Sequence, residues 1–319
     1  CMKIVYMGTP EFAVAGLDAL RKAGNEICAV VTATDKPAGR GQKLSPSAVK
    51  VYATENNIPV LQPEKLRDPE FLNTLKNYKA DLFVVVAFRM LPDVVWKMPI
   101  KGTINLHASL LPNYRGAAPI NWAVINGEKE TGVSTFFIRE EIDTGNVIAQ
   151  RKVSIGENET AGELHDKLML VGAELLVETV KAIESGTAHS IPQEEMSVGT
   201  KNFPVATKIF REDCKIDWTK KTDSIFNLIR GMSPYPAAFT TLVQSGKEET
   251  LVKIFASRKG NSTGKPGSIH TDGKTFLEVV TNDGSLLLTD IQQAGKKRMG
   301  IEEFLRGTKL RSEEHTSEL

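Results

Sequence analysis

Up to about residue 185 the chain alternates short continuous apolar runs with stretches whose apolar positions recur at three- and four-residue spacing. Lys3-Ile4-Val5-Tyr6-Met7 is a buried-strand run closed by Gly8-Thr9-Pro10, and Phe12, Val14, Leu17 and Leu20 follow at helical spacing until Gly24. The same alternation predicts a strand over 26–31, helices over 47–57 and 69–77, the strand Leu82-Phe83-Val84-Val85-Val86-Ala87 and a strand over 102–107. Strands apolar on both faces and separated by helices imply an α/β domain with a mostly parallel sheet covered on both sides. Further on come a helix near 119–126, strands over 132–138 and 147–153, and a long helix over 161–185 whose stripe carries Leu164, Leu168, Val171, Leu175 and Ala182.

The period then changes. Residues 187–205 lack sustained periodicity and carry Pro192, Gly199 and Pro204, which fits a linker. After a helix over 221–231, short alternating segments at 238–243, 251–256, 267–270, 275–280 and 285–291 are punctuated by Gly246, Asp272-Gly273 and Asp283-Gly284, the spacing of a small antiparallel β-barrel. A last helix is predicted over 301–306. The expected organisation is a catalytic domain at 1–186, a linker at 187–205, a barrel domain at 206–311 and a tail at 312–319. That polar tail is expected to be frayed or foreign, and Cys1 to precede the natural start at Met2.

Composition adds limits rather than a function. With 319 residues, 41% hydrophobic and 25% charged, the chain reads as two soluble domains. No apolar stretch approaches the roughly 20 residues of a membrane span, and the expectation is a cytoplasmic protein. Cys1, Cys28 and Cys214 are odd in number and without paired spacing, against both a disulfide framework and a zinc site. The net charge of +1 hides an asymmetry: residues 206–311 hold 18 Lys and Arg against 12 Asp and Glu, a weak pointer to a polyanionic partner. The first β-α turn, Met7 to Phe12, lacks the second and third glycines of a dinucleotide fingerprint, so nicotinamide binding is not expected. Gly8-Thr9-Pro10 is either a helix start or a ligand contact.

Candidate chemistry gathers in Ile104-Asn105-Leu106-His107 and in Ile142-Asp143-Thr144-Gly145. On an extended strand the side chains of Asn105 and His107 leave the same face. One donates hydrogen bonds and the other also moves a proton, so the pair fits acyl transfer with Asp143 as the carboxylate partner. A histidine ending an apolar strand is often structural, and Asp-Thr-Gly alone is often a turn. Their shared place beyond the carboxyl ends of a parallel sheet favours a site. The cationic segment over 34–44, with Lys36, Arg40 and Lys43, reads as a mobile loop: a solvated connection or a basic arm that reaches phosphates. Lys296-Lys297-Arg298 carries the same two readings.

Taken together, Gly8-Thr9-Pro10-Glu11-Phe12-Ala13, Lys36-Pro37-Ala38-Gly39-Arg40-Gly41, Asn105-x-His107 followed by Ser109-Leu110-Leu111-Pro112-x-Tyr114-Arg115-Gly116, and Ile142-Asp143-Thr144-Gly145 resemble the methionyl-tRNA formyltransferase family. The likeness continues through the run from Ile229 to Thr240 and so covers nearly the whole chain. It implies a Rossmann-like N-terminal domain binding 10-formyltetrahydrofolate and an OB-like C-terminal barrel that helps hold methionyl initiator tRNA. It also implies catalysis by Asn105, His107 and Asp143 without a metal. A folate site would be lined by Ser109, Leu110, Leu111 and Pro112, with main chain at Phe88, Arg89, Met90 and Leu91 and at Glu140, Glu141 and Ile142. Arg40 would enter the acceptor stem, supported by Lys36 and Lys43. The run Ala87-Phe88-Arg89-Met90-Leu91-Pro92 departs from the family pattern, which reads Ala-Tyr-Gly before aliphatics. The expected assembly is a monomer. Rival readings are a formyltransferase acting on a glycinamide ribonucleotide or an amino sugar, a formyltetrahydrofolate hydrolase, and a non-catalytic RNA-binding protein.

Overall fold

The structure, a computed structural model, describes residues 2–196, 199, 202–311 and 314–316. Expectations that fall on Cys1, on 197, 198, 200 and 201 within the linker, and on 312, 313 and 317–319 of the tail lie outside the described residues. The first part of the chain runs β1 (Lys3–Gly8), α1 (Glu11–Lys22), β2 (Glu26–Val31), β3 (Lys36–Ala38), β4 (Lys43–Ser45), α2 (Ala48–Glu55), β5 (Val60–Leu61), α3 (Pro69–Asn77) and β6 (Leu82–Val86). It continues through α4 (Asp93–Trp96), β7 (Thr103–His107), β8 (Arg115–Gly116), α5 (Pro119–Ile125), β9 (Glu130–Phe137), β10 (Val147–Ser154) and α6 (Ala161–Ser185). By contacts the chain forms two compact units, one of 1–119, 130–154 and 165–205, the other of 120–129, 155–164 and 206–319.

The first unit is built on a seven-stranded sheet in the order β10-β9-β7-β6-β1-β2-β5. β7, β6, β1, β2 and β5 are mutually parallel, while β9 and β10 run antiparallel at one edge. The five residues of β6 are all buried, as a strand covered on both faces requires. Alternate residues of β1 serve different layers: Val5 and Met7 pack with Phe71 and Leu75 of α3. On the other face the Tyr6 hydroxyl donates to the Ala13 carbonyl of α1 at 2.5 Å. Gly8 has no room for a side chain, because a Cβ there would stand 2.7 Å from both the Ala13 Cβ and the Val86 carbonyl oxygen. Gly8 thus ends β1 in close contact with α1 and β6, and Pro10 caps α1 without a side-chain bond.

The second unit includes β11 (Val205–Ala206), α7 (Arg211–Cys214), α8 (Thr222–Met232), β12 (Ala238–Val243), β13 (Thr250–Lys259), β14 (Ile269–Thr271), β15 (Leu277–Val280), β16 (Ser285–Gln293), β17 (Met299–Gly300), α9 (Ile301–Gly307) and β18 (His315–Thr316). Its antiparallel sheet follows β14-β15-β16-β13-β12-β18, with β17 on β16. A bridge between Ser268 and His315, and a bond from the Thr316 amide to the Gly267 carbonyl, bring its ends together into a nearly closed barrel. Trp218, Ile225 and Ile229 pack on the inward residues Ala238, Leu242, Val252 and Ile254.

Two expectations need correction. Residues 34–44 are no featureless loop: β3 and β4 pair as a hairpin, with Gly39, Gly41 and Gln42 in the left-handed region at its turn. Strands of three residues are too short for alternation to announce them. Within the stretch expected to be a linker, Ile191 exchanges two backbone bonds with Val147 and 193–195 form a 3-10 turn. Within the tail expected to fray, Thr316 is fully buried on β12.

Candidate active site

Asn105 and His107 lie in the centre of the first unit's sheet. Asn105 faces Val85 of β6 on one side and Phe136 of β9 on the other, and His107 faces Ser134. Ladder bonds on both flanks fix their spacing at about 7 Å along one face. The half-buried Asn105 amide makes no hydrogen bond among the described residues, so both of its N–H donors are available.

His107 is buried, with its Nε2 2.8 Å from the Tyr114 carbonyl oxygen and its Nδ1 3.8 Å from Oδ2 of Asp143. A carbonyl only accepts, so the Nε2 atom carries a hydrogen. Both ring nitrogens thus face oxygen acceptors, and the imidazolium is the form in which each has a hydrogen to offer. At 3.8 Å the carboxylate acts on the ring through charge rather than a direct hydrogen bond.

Asp143 is itself buried and sits at φ 55°, where non-glycine residues are uncommon. Its Oδ2 accepts the Gly116 amide N–H at 2.8 Å. Two residues on, a Cβ on Gly145 would fall 1.6 Å from the Phe137 carbonyl oxygen, so that position admits glycine alone. Arg139 braces the same loop by donating to the Thr144 hydroxyl at 2.9 Å and pairing with Glu194 at 3.4 Å. Glu194 titrates below the usual glutamate range, chiefly through a backbone hydrogen bond of its own, with Arg139 adding to it.

The remaining sequence candidates separate into distinct groups. Arg89, Met90, Leu91 and Glu140 come together, with Leu66, Arg67 and Trp96, around an open cleft of about 750 Å³ beside β6. Phe88 packs against the core next to it, and the Arg89 guanidinium donates to the Glu64 carbonyl at 2.9 Å. Glu141 and Ile142 are exposed on the loop that presents Asp143. Ser109, Leu111 and Pro112 are buried instead: the Ser109 hydroxyl donates to the Asn113 carbonyl, and Leu111 packs on Phe136 and Val147. Leu110 is partly buried and contacts the space beside Gly132. None of Asn105, His107 and Asp143 lines the cleft.

Arg40, Lys36 and Lys43 are exposed on the β3–β4 hairpin and form no ion pair among the described residues. In the second unit Lys297 pairs with Glu303 and Arg298 with Asp290, so two of the three cations in Lys296-Lys297-Arg298 are already neutralised locally. Among the described residues no group of His, Cys, Asp and Glu is arranged to hold a metal ion, and no helix is long and apolar enough to cross a membrane.

Sequence reasoning passed over the second tier of the site: the Tyr114 carbonyl, the Gly116 amide and above all Gln193, which bonds to the backbone of the Asp143 loop. An amide in an aperiodic stretch gives no signal of its target 50 residues away.

Comparison with known proteins closes the question of kinship. The family described as formyl transferase matches residues 2–180, and that described as formyl transferase, C-terminal domain, matches residues 208–309. The methionyl-tRNA formyltransferase of Bacteroides fragilis is 54% identical over 311 residues, 97% of this chain and 96% of its own. That of Flavobacterium johnsoniae is 49% identical over 308 residues, 96% of each. Among solved structures, HypX from Aquifex aeolicus in complex with tetrahydrofolic acid has a TM-score of 0.61 at 20% identity, over 95% of this chain and 47% of that one. An N-formyltransferase from Helicobacter canadensis, in complex with folinic acid and dTDP-3-aminofucose, reaches 0.62 at 22% identity over 90% of this chain and 99% of that one. Those distant likenesses establish the fold, and with two family matches and relatives near 50% identity, the chain belongs to the formyl transferase family, on its methionyl-tRNA formyltransferase branch.

Proposed function

We propose that this chain, a cytoplasmic monomer, transfers the formyl group from N10 of 10-formyltetrahydrofolate to the α-amino group of methionyl initiator tRNA. The observation that carries this reading is the 54% identity to a methionyl-tRNA formyltransferase across 97% of the chain, including the second unit and the hairpin. A small formyl acceptor leaves the hairpin cations Lys36, Arg40 and Lys43, which form no ion pair among the described residues, without a task.

The site's geometry supports a concrete route. The folate enters the cleft, whose apolar walls from Leu66, Met90, Leu91 and Trp96 suit a flat heterocycle and whose volume lies in the range of small-molecule sites. The neutral α-amine attacks the formyl carbon and negative charge grows on the formyl oxygen. Asn105, with its amide uncommitted, donates to that oxygen, and the His107 imidazolium adds positive charge beside it. For His107 to donate as well, the oxygen must replace the Tyr114 carbonyl at Nε2, a tightening that belongs to the substrate complex. Asp143 holds the ring's charge and takes up the proton lost by the amine, directly or through water. The intermediate collapses by breaking the bond from the formyl carbon to N10, which takes up the proton that Asp143 received from the amine, directly or through water.

The test is formyl transfer from 10-formyltetrahydrofolate to initiator and elongator methionyl-tRNA, with His107→Ala alongside. Formylation confined to the initiator and lost in the variant is expected. Equal formylation by the variant would overturn the mechanism, and preference for a nucleotide-linked amino sugar would overturn the substrate.

A further inference from the structure

The most thoroughly bonded side chain near the site belongs to neither the strand nor the loop that carries the chemistry. Gln193 is 1% exposed, and every polar position it has is filled. Its Nε2 donates to the carbonyl oxygens of Asp143 and Gly145, both at 2.8 Å. Its Oε1 accepts from Arg115, at 3.1 Å from Nε and 2.8 Å from Nη2. Arg115 precedes Gly116, whose N–H holds the Asp143 carboxylate. The segment bearing Gln193 is secured in turn by the paired bonds between Ile191 and Val147 and by Met196 packing on Leu111, Phe136 and Val147.

We infer that Gln193 is the positioning residue for Asp143, fixing the main chain of that aspartate while Arg115 ties it to the segment that grips the carboxylate. This inference rests on the proposed role of Asp143 at His107. Three features make the role specific. Asp143 holds a left-handed backbone conformation, which persists only when its surroundings impose it. Its carboxylate stands 3.8 Å from His107, a separation set by backbone placement because no direct hydrogen bond draws the two together. Lastly, burial leaves no solvent to take over the bonds to the two carbonyls, so another side chain there leaves them unpaired.

The test is a double-mutant cycle. Gln193→Glu keeps the length and the contact with Arg115, and replaces the two N–H donors by a carboxylate oxygen that faces the Asp143 and Gly145 carbonyls. We expect kcat to fall about 100-fold, the order of loss that follows a displacement near 1 Å, with the Michaelis constant for the folate nearly unchanged. In an Asp143→Ala background the same substitution should lower kcat hardly at all, because Gln193 acts through the aspartate alone. Should Gln193→Glu fail to fold, Arg115→Lys loosens the amide from its other side and should show the same dependence on Asp143 with a smaller loss. An unchanged kcat in the folded position-193 or position-115 variants, or equal losses with and without Asp143, overturns the inference. If Asp143→Ala alone retains full activity, the proposed mechanism fails first, and the two failures are told apart.

Discussion

In the proposed reaction Asn105 and Asp143 act from two kinds of scaffold. Asn105 sits on β7, paired on both sides by strands of the same sheet, and its spacing from His107 follows from the strand's period of two. Asp143 sits on a loop in an unfavourable backbone conformation, held by an amide 27 residues away and a glutamine 50 residues away. The strand arm is rigid because of its neighbours' backbone; the loop arm is rigid because of specific side chains and one obligatory glycine. Chemistry and stability are therefore separable on the first and joined on the second.

The sharpest test of that contrast is Asn105→Ala. Removing one donor to a developing oxyanion should lower kcat about 100- to 1,000-fold. Because the amide bonds to no described residue, the melting temperature should stay close to that of the parent. A large fall in melting temperature would show that Asn105 is part of the scaffold after all.

Gly145→Ala probes the other arm. The added Cβ would meet the Phe137 carbonyl oxygen at 1.6 Å, so the loop must move and carry Asp143 with it. The expected outcome is a loss of about 3 kcal/mol in denaturant unfolding together with a drop in kcat of about tenfold or more. Full activity at reduced stability would mean that Asp143's position is not set by this loop.

The same contrast explains what the sequence made legible. The parallel sheet, the helices at 69–77 and 161–185 and the strand-borne pair could be placed because each announces itself by a local period. The hairpin at 36–45 escaped because its strands have three residues each, and the glycines that mark its turn look like those of any loop. Gln193 escaped for a different reason: its meaning lies entirely in partners that the chain brings back from 48 to 78 residues away. Ser109, Leu111 and Pro112, expected in the folate lining, follow His107 closely in the sequence, and their side chains are buried in the turn that leads to Tyr114.

The hairpin supplies a third region, one whose exposed tip has no charge partner among the described residues. Arg40→Ala should raise the Michaelis constant for tRNA, leave that for folate alone and reduce the salt slope of tRNA binding by about one. Parallel losses for both substrates would place Arg40 in the folate site and remove the hairpin from tRNA recognition.

Asp35, just before β3, should give the smallest effect. Its carboxylate accepts from Gln62 at 2.8 Å and from Lys50 at 3.0 Å, and these contacts, Gln62's first, hold its pKa below the ordinary aspartate value of 3.8. A carboxyl that is more acidic folded than unfolded adds stability above the unfolded value, and that stability disappears as pH falls through the folded one. Asp35→Asn should therefore lower the melting temperature slightly at neutral pH, well short of the Gly145→Ala loss, and the difference should shrink as the pH is taken below 3.8. Thermal melts at pH 7 and pH 3 check it. A difference that grows on acidification would mean that the hairpin's base is held by something other than this carboxylate.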